Sequence, residues 1–81
     1  MDRKEIEKKV KEILADRLDI SINKILLSSR LVDDLSMDSM GAVEVMFELK
    51  DQLQIDVSDN DFTKVKNVED VINLIIVLKQ K

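Results

Sequence analysis

Asp33-Asp34-Leu35-Ser36-Met37-Asp38-Ser39-Met40 is where the chain changes from a loop into a helix, and the rest of the sequence is read outward from it. From Ser39 to about Leu53, Ala42, Met46, Leu49 and Leu53 recur on one helical face, with Val43, Val45 and Phe47 beside it. Glu44, Glu48 and Asp51 follow at four- and three-residue spacing on another face, forming an acidic ridge. The first turn of a helix carries backbone N–H groups without intrahelical partners and a partial positive charge. Ser39 sets a hydroxyl at that position, where a phosphate ester is favoured and a modifying enzyme has access. Position alone also fits a plain N-cap. Ser58 and Asn67 read as caps, and Ser21, Ser28, Ser29 and Ser36 as ordinary loop residues.

Upstream, Ile6, Val10, Ile13, Leu14 and Leu18 predict an amphipathic helix from about Asp2 to Leu18. Asp2 and Glu5 have the spacing of a capping box. Residues 19 to 37 read as a long connection whose Ile20, Ile22, Ile25, Leu27, Leu31 and Leu35 pack onto the core, with a short helical turn near Asn23–Leu26. Downstream, residues 54 to 58 connect to a short helix near Asp59–Val65, opened by Ser58 and Asp61. Asn67 and Asp70 open a last helix, about Val68 to Lys79, with Val68, Val71, Ile72, Ile75 and Leu78 inward and Lys79 and Lys81 at its C-terminus. The expected fold is all-α: a small up-down helical bundle of three longer helices plus one short helix, with a long first loop, in a single domain over residues 1–81.

Composition supports this and removes several function classes. Apolar residues make up 44% of the chain and charged residues 37%, a globular mixture. Pro is absent and Gly41 is the one glycine, which disfavours a turn-rich β fold. With no Cys and no His, the common nucleophile–base pairs and zinc sites are excluded, so neither catalytic residues nor a metal are expected. A calcium loop beginning at Asp19 would need Gly and Glu where Lys24 and Arg30 stand; one beginning at Asp56 meets Asp61 and Asn67 there. The net charge of −4 and the two aromatic rings argue against nucleic acid. No apolar run is long enough for a membrane span, and the charged N-terminus has no secretory core, so a cytoplasmic location is the expectation.

The segment from Asp33 to Met40 resembles the acyl carrier protein family, in which a loop ending in Asp-Ser-Leu opens the second helix. The likeness extends in order through Ile22-Asn23-Lys24-Ile25, Leu31 to Leu35, Val43-Glu44-Val45, Leu53-Gln54-Ile55-Asp56-Val57 and Val65 to Val71. It implies a non-enzymatic carrier. A phosphopantetheinyl transferase would move 4′-phosphopantetheine from coenzyme A to the Ser39 hydroxyl. The arm's thiol would then hold an acyl group as a thioester. The chain would deliver that group to acyl-transferring and acyl-modifying enzymes of fatty acid, polyketide or related biosynthesis, as a monomer. By the same resemblance, Asp38 and Met40 serve recognition by the transferase, and Glu44, Glu48 and Asp51 form a docking face for basic patches. Val43, Met46, Leu49, Phe62, Val65 and Val71 are the acyl-cavity candidates. The alternative is a helical protein-interaction module in which Ser39 is only a cap.

The sequence also departs from the family pattern. Ser36 and Met37 stand where Gly and a small residue are usual, Met40 where Leu is common, Gly41 where an acid is common, and Lys50 in a typically acidic stretch. Gly41 is expected to loosen the first turn at a cost of up to about 1 kcal/mol. Together the departures suggest a specialised carrier. Phe62, where the family often has a small residue, is expected either to fill part of the cavity and limit chain length or simply to pack in the core.

Overall fold

A computed structural model describes residues 2–80. Four α-helices follow one another: α1 (Arg3–Leu18), α2 (Ser39–Leu53), α3 (Asp59–Phe62) and α4 (Val68–Lys79), with a 3-10 turn at Ile22–Lys24 between α1 and α2. The expected bundle of three longer helices and one short one is what forms. No helix among the described residues is long and apolar enough to cross a membrane. Lys81, expected at the end of α4, lies outside the described residues.

α1 packs against both α2 and α4. It buries Ile6, Val10, Ile13 and Leu14, while α2 contributes Val45, Met46, Leu49 and Leu53 and α4 contributes Val68, Val71, Ile72 and Ile75. Leu18 and Leu78 only flank this core. Fully burying each such side chain stabilises the bundle by roughly 1.5–3 kcal/mol, which is why the periodic positions set the fold.

The helix ends follow from local chemistry. Asp2 caps α1 by accepting from the Glu5 N–H at 2.9 Å, one half of the expected box. Complete capping boxes form at Ser58 with Asp61 and at Asn67 with Asp70. α1 and α2 end on Asp19 and Gln54, both left-handed with φ of 55° and 54°. Glycine usually takes that place.

α3 is shorter than the expected Asp59–Val65. After Phe62 the N–H groups of Lys64 and Val65 bond three residues back, to Asp61 and Phe62, so the chain tightens and leaves the helix. In the first loop the helical turn lies at Ile22–Lys24 rather than Asn23–Leu26. Ile25, Leu31 and Leu35 are buried, but Ile22 is exposed, against expectation. The loop is tied to the entry of α4: Leu31 N–H donates to the Lys66 carbonyl, Val68 N–H to that of Ser29, and Glu69 N–H to that of Leu27. Ser29 is more than a loop residue. It is buried, and its Oγ accepts from the Leu26 N–H at 3.0 Å.

Candidate functional site

The second half of the first loop is wound by local bonds. Asp34 accepts from the Arg30 N–H at 2.8 Å, and the Met37 N–H donates to the Leu31 carbonyl at 2.9 Å. Ser36 takes a left-handed φ of 58°, which a residue with a Cβ adopts at some cost. This turn buries Leu35 and Met37 and delivers Asp38 in extended conformation to the start of α2. Asp38, not Ser39, is the N-cap, with Oδ1 accepting from the Gly41 N–H at 2.7 Å. The plain-cap alternative for Ser39 therefore fails: this serine is the first residue inside the helix, and the residue before it already does the capping.

Ser39 is exposed. Its N–H and that of Met40 stand in the first turn, where no intrahelical acceptor exists. Gly41 does not merely loosen this turn. It is buried, and a Cβ there would sit 3.0 Å from Leu18 Cδ2 and 3.1 Å from Asp38 Oδ1. The missing side chain lets the end of α1 close onto the start of α2.

Beside Ser39 lies an open, largely apolar groove of about 410 Å³. Of the cavity candidates, Val43, Met46, Phe62 and Val65 line it, and Ser39 itself borders it. Leu49 and Val71 do not reach it; both are buried in the core. Val32, Met37, Ala42, Asp59 and Thr63 complete the lining without having been anticipated. The periodicity of α2 marks which side is buried but not which part of it borders open space. Phe62 is buried and lines the groove, so ring packing and groove lining are one role.

The acidic ridge is uneven. Glu44 and Asp51 are exposed. Glu48 is held instead, accepting from Arg17 of α1 and from Gln52 Nε2 at 2.7 Å. The Gln52 hydrogen bond, helped by the Arg17 charge, holds the Glu48 carboxyl below its ordinary value of 4.5, against the opposing effect of desolvation. Arg17 left no trace in the sequence pattern of α2, since the pair spans two helices. Lys50 lies along the same helix, its Nζ 5.9 Å from the centre of the Phe47 ring.

An exposed hydroxyl in a first helical turn that keeps backbone N–H groups without intrahelical acceptors, next to an apolar groove, suits a phosphodiester carrying an acyl chain. The comparisons with known proteins agree. Residues 8–75 match the family model described as a phosphopantetheine attachment site. An acyl carrier protein of Rickettsia bellii is 41% identical over 70 residues, covering 86% of this chain and 81% of that protein. A second, from another strain of the same species, is 41% identical over 70 residues, covering 86% of each chain. The chain thus belongs to the acyl carrier protein family, whose members bear a covalent 4′-phosphopantetheine and carry acyl groups on it.

Proposed function

We propose that Ser39 is the attachment point of the arm and that residues 1–81 work as one carrier unit, without catalysis of their own. The observation that carries this reading is the placement of Ser39: exposed, first in α2, and on the rim of the groove. Bound there, the arm supplies a thiol, which this cysteine-free chain lacks, and which holds the acyl group as a thioester. The free amides of the first turn and the positive end of α2 tolerate the phosphodiester charge. Val43, Met46, Phe62 and Val65 offer apolar contact to the start of the acyl chain. Leu49 and Val71 support that wall from the core behind it.

The same face meets partners: the phosphopantetheinyl transferase first, then acyl-transferring and acyl-modifying enzymes. Asp38 and Met40 flank Ser39 and serve its recognition. Every charged residue from 33 to 61 except Lys50 is acidic, which favours partners with basic patches. Glu44 and Asp51 present that charge directly; Glu48 adds to the field while bound to Arg17. A monomer working in the cytoplasm goes with this reading, as does a specialised pathway, given the break in the ridge at Lys50.

The test is co-expression with a promiscuous phosphopantetheinyl transferase, followed by intact mass. The chain gains the mass of one arm, and Ser39→Ala gains nothing. An unchanged mass for the wild-type chain, or a gain in Ser39→Ala, rejects the reading. Phe62 limits the depth of the groove. Phe62→Ala lets longer acyl chains bury, read as shifts of core methyl resonances that extend beyond those in the parent, at a stability cost of about 3 kcal/mol. Identical shifts in both proteins remove that role.

A further inference from the structure

The carrier reading leaves open what fills the groove when no long chain is aboard, and the following inference rests on that reading. Val43 and Met46 of α2 and Phe62 of α3 form the apolar wall of the groove. Two polar side chains stand in the same lining, Asp59 and Thr63, and both are exposed. The Thr63 hydroxyl donates to the Asn60 carbonyl at 2.8 Å, which leaves its oxygen to accept. An ionised Asp59 carboxylate only accepts. The groove therefore offers hydrocarbon together with hydrogen-bond acceptors. A plain hydrocarbon chain answers only half of that, because it covers the acceptors without bonding them. The arm answers both halves. Between its phosphate and its thiol it carries a dimethyl carbon and amide N–H donors.

Size points the same way. A water-sized group takes roughly 30 Å³, so a groove of about 410 Å³ holds about fourteen of them. The arm beyond its phosphate has more non-hydrogen atoms than that. From Ser39 to Met46 the wall runs about 10 Å, while the arm spans about 16 Å, the length of four or five extended residues. Ser39 borders the groove, so a group tethered there meets the wall at millimolar effective concentration and needs only weak contacts to settle. Leu49 and Val71 lie in the core outside this lining, so no side chain of the groove leads a cargo onward to them.

We propose that the groove is the resting seat of the arm itself. Asp59 and Thr63 accept from its amide N–H groups, and Val43, Met46 and Phe62 cover its dimethyl carbon. Little of the wall is then left for a cargo, so the acyl groups carried are short ones.

The experiment compares methyl and ring resonances of the full chain before and after arm attachment, with the added mass confirmed first. Attachment shifts the methyl signals of Val43 and Met46, and nuclear Overhauser effects join the arm's methyl protons to the Phe62 ring. Combined Asp59→Ala and Thr63→Val lowers the ratio of seated to free arm about tenfold, equivalent to about 1.4 kcal/mol, and moves those signals back toward the unmodified chain. Asp56→Ala removes an exposed acid outside the lining and changes nothing. The spectrum of the double variant without an arm matches that of the unmodified parent elsewhere in the bundle, which separates a lost contact from a lost fold. A butyryl load leaves the arm seated. Shifts confined to the first turn of α2 after attachment overturn the proposal, as does a double variant whose arm stays seated. A palmitoyl load that moves the Leu49 and Val71 methyl signals overturns the assignment of short cargo. If the parent chain takes no arm at all, the carrier reading itself falls, and this inference with it.

Discussion

The starts of α2 and α4 share a polar N-cap and differ at the third helical residue. At α4, Asn67 Oδ1 accepts from the Asp70 N–H at 2.8 Å, while Asp70 Oδ2 reaches back to the N–H groups of Lys66 at 2.9 Å and Asn67 at 3.3 Å. At α2, Asp38 accepts from the Gly41 N–H, and a glycine has no side chain to send back. The first turn of α4 carries Glu69 and Asp70; that of α2 carries no acid. The closed joint sits where the first loop is tied to the body. The open one sits where Ser39 stands, so the helix end proposed to receive a phosphodiester is the less neutralised of the two.

Paired cap removals test this contrast most strongly. Asp38→Ala and Asn67→Ala each cost about 1 kcal/mol, a fall of about 5 °C in thermal unfolding. Only Asp38→Ala also slows arm attachment, by about tenfold, equivalent to about 1.4 kcal/mol. Equal slowing by both variants would mean that the two helix starts do not differ in function.

Gly41→Ala sharpens the same contrast. Alanine gains about 1 kcal/mol of helix propensity, but its Cβ displaces the Leu18 methyl group and the Asp38 carboxylate. The Leu18 methyl ends a flexible, half-buried side chain that gives by a few tenths of an ångström. The net change in chemical denaturation is within about 1 kcal/mol of zero. A loss above about 2 kcal/mol would make the contact between α1 and α2 a rigid constraint on the site.

The smallest effect concerns Glu48. Its folded-state carboxyl is held below 4.5, so its contribution to stability is present above the unfolded value and is lost as pH falls through the lower folded value. Glu48→Gln therefore lowers stability slightly near neutrality and leaves it unchanged well on the acid side of pH 4.5, which flattens the profile between the two. An equal change at both pH values would show that the Arg17 link acts by packing rather than by charge.

Much of this molecule is legible in its sequence because its rules are local. The three long helices follow from three- and four-residue apolar spacing, and the boxes at Ser58–Asp61 and Asn67–Asp70 from a three-residue offset. The helix start at Ser39 was legible from its position and its flanking motif, although the cap fell one residue earlier, on Asp38. What the sequence hid depends on partners far along the chain. Arg17 reaches Glu48 across 31 positions. Leu49 and Val71 are buried like Met46 but lie in the core, outside the lining of the groove. Ile22 reads as core from its aliphatic character, yet the 3-10 turn that carries it points it outward. Phe47 reads as beside the apolar face, and only the assembled bundle leaves it in solvent.

The most direct test of the account is to locate the added group on the loaded chain by fragmentation mass spectrometry. Ser36 and Ser39 are both exposed, three residues apart, but only Ser39 belongs to a helix. The account predicts the whole added mass on Ser39 and none on Ser36. An arm found on Ser36, or on any other hydroxyl, would contradict it.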